Sequence, residues 1–479
     1  MRKLLVVLTC TCQFITGCAI GPNYLRPEVP LPETHRGQVG VPEAASLADL
    51  PWWEVFQDQV LQGLITEALA NNYDLRTAAA RVEQARALVG VARADFFPQI
   101  GYEGDAGRAH GVSQARVPIV PGQTSNTFAG LFNLAWEFDV WGRIRRADEA
   151  ALADLFATEE FRRGVVLSLV SEVAQAYLEL RELDLELDIA SRTIASFQRT
   201  LDLFTRRLQL GVASKLETAR AEAALAGTAA TVPALERRVV AKENQINVLV
   251  GRPPGPILRG TLLVDQTVPP ATPAGLPSQL LERRPDILQS EQSLVAANAR
   301  IGVAEANFFP RIGLTSLYGG ASPDIENIVS SGHIEAVAAQ IVGPLLQGGR
   351  IFENYQATLA QREQAQLQYE QTVIRALQEV SNALTDQQKL AEVREEQTRT
   401  VFAYRESVRL STLRYTGGFA NYFEVIEAQQ LLFPAEIILA QVQRDQLIAV
   451  VQLYRALGGG WSAYVEQPTP PPLWHVVLP

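Results

Sequence analysis

The sequence predicts an internally duplicated α+β membrane protein, and three observations predict it. The octapeptide ADFFPQIG at 94–101 returns as ANFFPRIG at 306–313, 212 positions later. Apolar and polar residues alternate over 127–140, which is typical of a β-strand. A long heptad pattern of apolar residues follows residue 143 and is typical of a coiled coil. We therefore expect a chain built twice from one plan, with strands and long helices in each copy.

Composition and motifs exclude several classes of function. The 479 residues carry a net charge of −10, and no run of Lys and Arg forms a basic patch, so no nucleic-acid partner is expected. The four histidines have no ligand spacing, and no P-loop, GxSxG or dinucleotide fingerprint is present. We therefore expect no enzyme activity, no metal site and no cofactor other than a covalent lipid.

The first 17 residues read as a lipoprotein signal peptide. Arg2 and Lys3 precede an apolar run that is too short to span a bilayer, which needs about 20 residues. The sequence Ile-Thr-Gly-Cys at 15–18 is similar to a lipobox, so Cys18 is the predicted lipid attachment site. The alternative is a simple cleavage site with a chance cysteine.

The residues around Cys18 also bear on location. The other cysteines, Cys10 and Cys12, would leave with the signal peptide, so no disulfide is expected. Ala19 stands where an Asp would retain a lipoprotein at the inner membrane, which indicates the outer membrane. No later run of 18 or more apolar residues occurs, so no transmembrane helix is expected.

Two repeats account for most of the chain. The predicted parts are a lipidated extended segment at 18–57, a first repeat at 58–251, a Pro-rich linker at 252–276, a second repeat at 277–458 and a tail at 459–479. The offset between the repeats falls from 212 at Gly101 to 207 at Gly142. The five-residue difference predicts a longer loop between those two glycines in the first repeat.

Each repeat begins with a helical stretch, at about 59–95 and 278–307. Both stretches end at Phe-Phe-Pro, because proline stops a helix and favours an extended continuation. The predicted helix-to-strand junctions are Phe97, Pro98, Phe309 and Pro310.

Two candidate strands follow in each repeat. In the first repeat they lie near 100–112 and over 127–140, and in the second they begin with RIGLTSLYGG and EAVAAQIVG. One face of the longer strand carries Phe132, Leu134, Trp136 and Phe138. The other face carries Asn133, Glu137 and Asp139. This alternation fits a transmembrane strand with its apolar face toward lipid, although a soluble β-hairpin would give the same pattern.

A long helix is predicted next in each repeat, at 143–210 and 350–416. The first carries apolar residues from Leu169 to Leu208 at spacings of four and three. Some 65 residues would span roughly 100 Å. The second is more polar at Gln387, Arg394 and Gln397, which are either solvated or line water.

Both long helices end in similar turns, RLQLGVASKLE at 207–217 and RYTGGFANYFE at 414–424. Gly211 and Gly418 fit helix C-caps, while Ser214 and Asn421 fit the N-caps of returning helices at 215–250 and 422–457. Each repeat therefore contains a helical hairpin.

Four membrane strands cannot close a barrel, and an open sheet edge in lipid is prohibitive. Two copies of the chain would give eight strands, with an interior filled by side chains. Three copies would give twelve strands and room for a lumen. The sequence therefore predicts an oligomer.

In these features the chain resembles the TolC family of outer-membrane factors, and most of all its OprM/NodT type. The residues that carry the resemblance are Cys18 with Gly21-Pro22-Asn23-Tyr24 and Pro27, Trp52-Trp53 with Phe56, LANNYDL at 69–75, the two Phe-Phe-Pro turns, Gly349-Arg350, the two hairpin turns, and the segment from Ala456 to Trp461. They cover essentially the whole mature chain.

The resemblance implies a homotrimer with a twelve-stranded barrel in the outer membrane and a long α-barrel in the periplasm. It further implies efflux of small molecules with a periplasmic adaptor and an inner-membrane transporter of the resistance-nodulation-division type. The implied periplasmic tip, gate and docking residues are Gly211, Ser214, Arg414, Tyr415, Gly418, Asn421, Tyr422 and Glu424. Relatives often carry Asp near the second turn; here it is absent, so Tyr415, Tyr422 or Glu424 is suggested for the gate.

Two alternatives remain from the sequence. One is the outer-membrane duct of a type I protein secretion system. The other is a periplasmic coiled-coil adaptor, although an adaptor would have one hairpin and no preceding strands. The sequence does not name the cargo.

Overall fold

The computed structural model describes residues 19–38, 46–110, 124–266, 275–330 and 332–459. Cys18 and the signal peptide lie outside these ranges, as does most of the tail. The chain divides into two compact units. The first comprises 19–28, 80–159 and 289–370, and the second comprises the remaining described residues.

The first unit contains one antiparallel four-stranded sheet. Its strands are β1 (Gln99–His110), β2 (Thr124–Phe138), β3 (Arg311–Ser322) and β4 (His333–Val342), in that order across the sheet. The strands of the first repeat therefore lie beside those of the second.

The strand register confirms the duplication and its change of offset. Gln99 pairs with Ala135, and their equivalents Arg311 and Val342, 212 and 207 positions later, also pair. Farther along, Arg108 pairs with Asn126 across 17 intervening residues, whereas the equivalent pair, Gly320 and His333, is separated by 12. The extra five residues therefore lie at the far end of the first hairpin, as predicted.

The helical stretches before the strands are each interrupted, which the sequence pattern did not predict. Helices span Gln59–Asn71 and Tyr73–Ala94 in the first repeat, and Leu280–Arg283 and Pro285–Ala306 in the second. The side chain of Asn72 accepts a hydrogen bond from the Leu75 amide at 2.9 Å and donates one to the Leu249 carbonyl at 2.8 Å. In the second repeat, Pro285 keeps the preceding residue out of the helical region.

The two long helices agree with the prediction. The first long helix is Arg143–Gln209 and the second long helix is Arg350–Thr416, each of 67 residues. Most of the predicted apolar seam of the first long helix is buried: Leu169, Val173, Ala176, Leu180, Leu183, Ala190, Phe197 and Phe204. In the second long helix, Arg394 donates to the Gln446 side chain at 2.8 Å and Gln397 to the Ala435 carbonyl at 2.9 Å. These polar seam residues therefore bind the neighbouring helix.

The returning helices differ between the repeats. The first is broken into Lys215–Ala229 and Thr231–Val250, so the single helix predicted over 215–250 is wrong. Pro233 lies just after the break, and it has no backbone N–H to bond the carbonyl of residue 229. The second returning helix is continuous over Phe423–Ala456 and contains Pro434. By length and composition alone it is apolar enough to cross a membrane, which the sequence pattern did not predict.

The linker after the first repeat is fixed to the second unit through Asp58. This buried carboxylate accepts hydrogen bonds from the Thr261 amide at 2.9 Å, the Gln266 side chain at 2.9 Å and the Tyr177 hydroxyl at 3.0 Å. Its other oxygen caps the helix that begins at Gln59. One acidic side chain thus joins the linker to two helices.

Candidate functional site

The two hairpin turns end their long helices in the same way. Gly211 and Gly418 have φ values of 75° and 76°, in the left-handed region that favours glycine. In each turn the following amide bonds back to the last helical turn, from Val212 to Arg207 and from Phe419 to Arg414, both at 2.9 Å. This is the Schellman arrangement, and it confirms the predicted C-caps.

In both turns a side chain accepts a hydrogen bond from an amide at the start of the returning helix. Ser214 forms a capping box with Glu217, as its position in the turn predicts. In the second turn the N-cap position is Tyr422, whose side chain makes no capping hydrogen bond, and the Asn421 side chain accepts a hydrogen bond from the Phe423 amide at 2.6 Å. Asn421, predicted as the N-cap, lies one position before it, because the helix begins one residue later than predicted.

A small apolar core joins the two turns, and Tyr422 lies in it. Its ring is edge-on to Phe204 at 4.6 Å and to Tyr415 at 4.8 Å. Ala221, Val425 and Ile426 complete the buried cluster. The structure thus brings together two turns that are about 200 positions apart in the sequence.

Burial of Tyr422 corrects its suggested role in a gate. Only 7% of the residue is exposed, so it packs the turns and cannot line an opening. Tyr415 is half-buried and its hydroxyl accepts a hydrogen bond from Arg207. The exposed charged pair is Arg414 and Glu424, at 3.5 Å. Of the residues suggested for a gate, Glu424 is therefore the accessible acid.

An exposed apolar rim surrounds the turns, and sequence reasoning missed it. We define the rim as Leu210, Val212, Leu216, Phe419 and Phe423, all exposed. Phe419 is 82% exposed, even though a turn rich in glycine is ordinarily polar. Apolar residues at turn positions were the available signal. Several exposed apolar side chains at the same pair of turns fit contact with another protein.

The sheet has one apolar face that is largely exposed. The strand register places on this face Ile100 and Tyr102 of β1, Phe132, Leu134, Trp136 and Phe138 of β2, Ile312, Leu314 and Tyr318 of β3, and Val337 and Ile341 of β4. Tyr102 is 86% exposed and Ile341 is 70% exposed. All four strands therefore contribute apolar side chains to this face.

The opposite face is polar, and its charges are paired near the start of the first long helix. Glu137 accepts two hydrogen bonds from Arg143, at 2.9 and 3.0 Å. Asp139 caps the helix by accepting from the amides of Ile144 and Arg145 at 2.9 and 3.0 Å. The acidic residues predicted on this face thus also fix the strand-to-helix connection.

The Phe-Phe-Pro junctions form the same turn in both repeats. The amides of Phe97 and Phe309 each bond at 3.1 Å to the carbonyl three residues earlier, and the strand begins directly after Pro98 and Pro310. Trp136 donates to the Phe96 carbonyl at 2.9 Å and Trp141 to the Pro310 carbonyl at 2.7 Å. Two tryptophans therefore hold the junctions against the sheet.

The N-terminal segment is bound to the first unit. Arg146 is buried and donates to the carbonyls of Ile20 and Gly21 at 3.1 and 3.0 Å. Arg26 donates two hydrogen bonds of 2.6 Å to buried Glu291. A side chain at Gly302 would approach the Ile20 carbonyl to 2.6 Å, which explains this glycine.

A buried pair of acids lies within the helices of the second unit. Glu182 and Glu186 are one helical turn apart on the first long helix and almost fully buried. Arg444 lies 3.3 Å from Glu182, and Arg238 lies 3.1 Å from Glu186. Burial, followed by the nearby Glu186, raises the pKa of Glu182 to about 8.

Among the residues that the structure describes, no group of three or more His, Cys, Asp or Glu side chains is arranged to hold a metal ion. Of the described histidines, His35 is buried and burial lowers its pKa.

Comparison with known proteins gives consistent matches over nearly the whole chain. Residues 64–252 and 276–459 match the family described as outer membrane efflux protein. The probable efflux pump outer membrane protein TtgC of Pseudomonas putida is 34% identical over 472 residues, covering 98% of each chain. The cation efflux system protein CusC of Escherichia coli is 32% identical over 460 residues, covering 95% of this chain and 98% of CusC.

Solved structures give the same result. The outer-membrane channel OprN superimposes with a TM-score of 0.85 and 30% sequence identity, covering 93% of this chain and 100% of OprN. The two segments matched by the family description fall on the two repeats read from the sequence.

Proposed function

The chain belongs to the outer membrane efflux protein family, and we propose that three copies of it form the outer-membrane channel of a tripartite efflux pump. Membership confirms the outer-membrane location, the efflux function and the internally duplicated fold of long helices and a sheet that the sequence predicts. The relatives bear the names of transport proteins, which supports the expectation that the chain is not an enzyme.

The exposed apolar face of an open four-stranded sheet is the observation that carries the proposal. Among the described residues, strands β1 and β4 each have one partner strand, so each leaves an edge of unpaired backbone groups. Such an edge is costly in lipid, and pairing β4 of one copy with β1 of the next removes it. Closure by three copies gives twelve strands and a lumen lined by the polar face.

A lipid on Cys18 is the second part of the proposal. The lipobox supports it, and so does the binding of residues 20–26 to the first unit, because this holds the chain directly after Cys18 in one place. Mass spectrometry of the mature N-terminal peptide tests the assignment. We expect a diacylglyceryl cysteine, and an unmodified Cys18 or a different terminus contradicts it.

The hairpin turns are the proposed docking site for a periplasmic adaptor, which couples the channel to an inner-membrane transporter of the resistance-nodulation-division type. The exposed apolar rim supports this assignment, since burial of such a surface favours association. Arg414 and Glu424 beside the rim are accessible and charged, and we assign the gate to this pair together with Tyr415.

The proposed cargo is small organic molecules. TtgC is named for an efflux pump and CusC for cation efflux, so the names of the relatives do not decide the cargo. The residues of this chain have to decide it. Soft metal ions prefer thiolate and thioether ligands. The only Met is Met1, and the only cysteines are Cys10, Cys12 and Cys18, so the body of the chain offers no such ligand.

Electrical recording tests the channel directly. Purified protein added to a planar lipid bilayer should produce discrete conductance steps. Phe132→Arg, on the apolar face, should prevent insertion, whereas Arg300→Gln on a helix of the first unit should conduct normally. A wild-type protein that is folded and membrane-inserted but never conducts contradicts the proposal.

A further inference from the structure

The two helix-to-strand junctions occupy equivalent places but carry different charges. Their equivalence follows from the register, since Gln99 pairs with Ala135 and Arg311 pairs with Val342. Three acids of the first junction are replaced by uncharged residues in the second: Asp95 by Asn307, Glu137 by Pro344 and Asp139 by Leu346. The arginine that begins each long helix is kept, as Arg143 and Arg350.

The first junction contains its own carboxylate ligand. Arg143 donates from Nε and Nη2 to the two oxygens of Glu137, at 2.9 and 3.0 Å. This two-bond geometry is the one that guanidinium groups form with carboxylates and phosphates. Asp95 Oδ2 lies 3.9 Å from Arg143 Nη2 and adds further negative charge. The positive charge of Arg143 is therefore neutralised within the chain.

At the second junction the equivalent arginine has no acidic partner. Arg350 is exposed, and its guanidinium donates to the neutral side-chain oxygen of Gln347. Arg311 is also exposed and stands where the first junction has Gln99, so it adds a second positive charge. Within the described part of the chain, neither Arg311 nor Arg350 forms an ion pair.

Both arginines line the same cavity, of about 530 Å³. Its polar lining is completed by the amides of Asn307, Gln347 and Asn354, and none of its lining residues is acidic. Arg311 lies on the polar face of the sheet, because the alternation of β3 places it on the same side as Gly313 and Thr315, opposite Ile312. The cavity therefore combines two guanidinium groups with amide donors, away from the exposed apolar face.

We propose that this cavity binds a small soluble anion that carries a carboxylate or phosphate group, at the place that Glu137 fills in the first junction. The location inside a lumen rests on the proposed function, in which the polar face lines the channel. Three copies would then present six such arginines around the path of the cargo. Rings of arginine favour anions in pores, so the site selects anionic solutes for passage.

Binding of inorganic phosphate to purified, delipidated protein in detergent tests the proposal by isothermal titration. Wild type should bind about one phosphate per chain, and Arg311→Gln, which copies the first junction, should weaken binding about tenfold or more. Pro344→Glu supplies the missing carboxylate and should abolish binding. Arg300→Gln removes a surface arginine of the same unit and should bind like wild type.

Three results would overturn the site: no phosphate binding by wild type, equal affinity in wild type and Arg311→Gln, or an equal loss in Arg300→Gln. Light scattering and circular dichroism establish that each variant is folded and assembled. If Pro344→Glu misfolds, Arg311→Gln still decides. A parallel titration with dihexanoyl phosphatidylglycerol separates the sources of phosphate, because binding of this lipid without binding of free phosphate contradicts a soluble ligand.

Phosphate binding is measured without a membrane, so it is independent of conductance. If wild type binds phosphate but does not conduct, the channel proposal fails and the anion site stands. If wild type conducts but does not bind phosphate, the anion site fails and the channel proposal stands. In conducting protein, Arg311→Gln should also shift the reversal potential in a KCl gradient toward cation selectivity, and an unchanged potential contradicts a role in selection.

Discussion

The hydroxyl of Tyr422 lies 2.6 Å from the hydroxyl of Thr200, 222 positions earlier in the chain. Thr200 belongs to the first long helix, and Tyr422 belongs to the turn that follows the second. The contact therefore joins the hairpins of the two repeats near their turns. With Phe204, it makes the two turns one structural element.

Removal of this contact should loosen the turns. Tyr422→Phe keeps the ring and loses one buried hydrogen bond, so it should cost about 1 kcal/mol of unfolding free energy. Tyr422→Ala leaves a cavity and should cost about 3–5 kcal/mol. Chemical denaturation followed by circular dichroism measures both. Phe419→Ala, at an exposed ring, serves as the control and should change little; equal effects of all three variants would refute the packing role.

The backbone of the second turn should matter for docking. Gly418 has a left-handed conformation and no neighbouring atom near the position of a side chain, so strain there comes from the backbone alone. Gly418→Val should cost about 1–2 kcal/mol, whereas Gly418→Asn should be tolerated. We expect Gly418→Val to lose export and adaptor crosslinking while trimers persist. Normal export by Gly418→Val would mean that the turn is not the docking edge.

Cysteine labelling tests the two faces of the sheet. In membranes, a polar thiol reagent should modify Asn133→Cys and spare Leu134→Cys, because only the first faces water in the assembled channel. An arginine at Phe132, if it lies at the bilayer midplane, should cost about 2–4 kcal/mol. The comparison is made in a background in which Cys10, Cys12 and Cys18 are all replaced by alanine, which removes every native cysteine. Equal labelling of both positions would show that the alternation does not separate lipid from water.

The buried acids predict a pH dependence of stability. The pKa of Glu182 is about 8 in the folded protein and near 4.5 when exposed, so between these values the folded state holds a proton that the unfolded state has released. Stability should therefore fall as pH rises from about 5 to 8. Glu182→Gln should flatten this slope, whereas Glu395→Gln, at an exposed carboxylate, should not. An unchanged slope in Glu182→Gln would contradict the assignment of the proton.

The features that the sequence predicted are those set by local patterns. Alternation identified β2, a heptad pattern identified the first long helix, the repeat identified the second, and glycines identified both turns. The interruption at Asn72 escaped prediction because the asparagine also bonds the carbonyl of Leu249, which is distant in sequence. Pro233 indicated the break in the first returning helix, but the break was not predicted because the helical spacing of apolar residues continues across it.

At the candidate site, sequence reasoning predicted the residues whose role depends on their own turn, such as Gly211, Gly418 and Ser214. Tyr422 was suggested for the gate, yet Phe204 and Thr200 of the other hairpin cover it. The charge difference between the junctions was visible in the sequence as Glu137 against Pro344. It became interpretable only when the strand register established that those positions are equivalent.

Crosslinking between copies tests the central claim, closure of the sheet by three chains. Within the chain, Phe132 of β2 pairs with Tyr318 of β3. With the repeat offset of 207, the equivalent of Phe132 is Ala339 of β4, and with the offset of 212, the equivalent of Tyr318 is Ala106 of β1. Ala339 of one copy should therefore face Ala106 of the next.

The decisive measurement is oxidation of the double variant Ala106→Cys with Ala339→Cys in membranes, in the same cysteine-free background, followed by denaturing electrophoresis. Cross-strand side chains are close enough for a disulfide. Closure by three copies should give covalent species that end at three chains and are absent from either single variant. Species that end at two chains, or no crosslink in a folded double variant, would contradict closure by three copies.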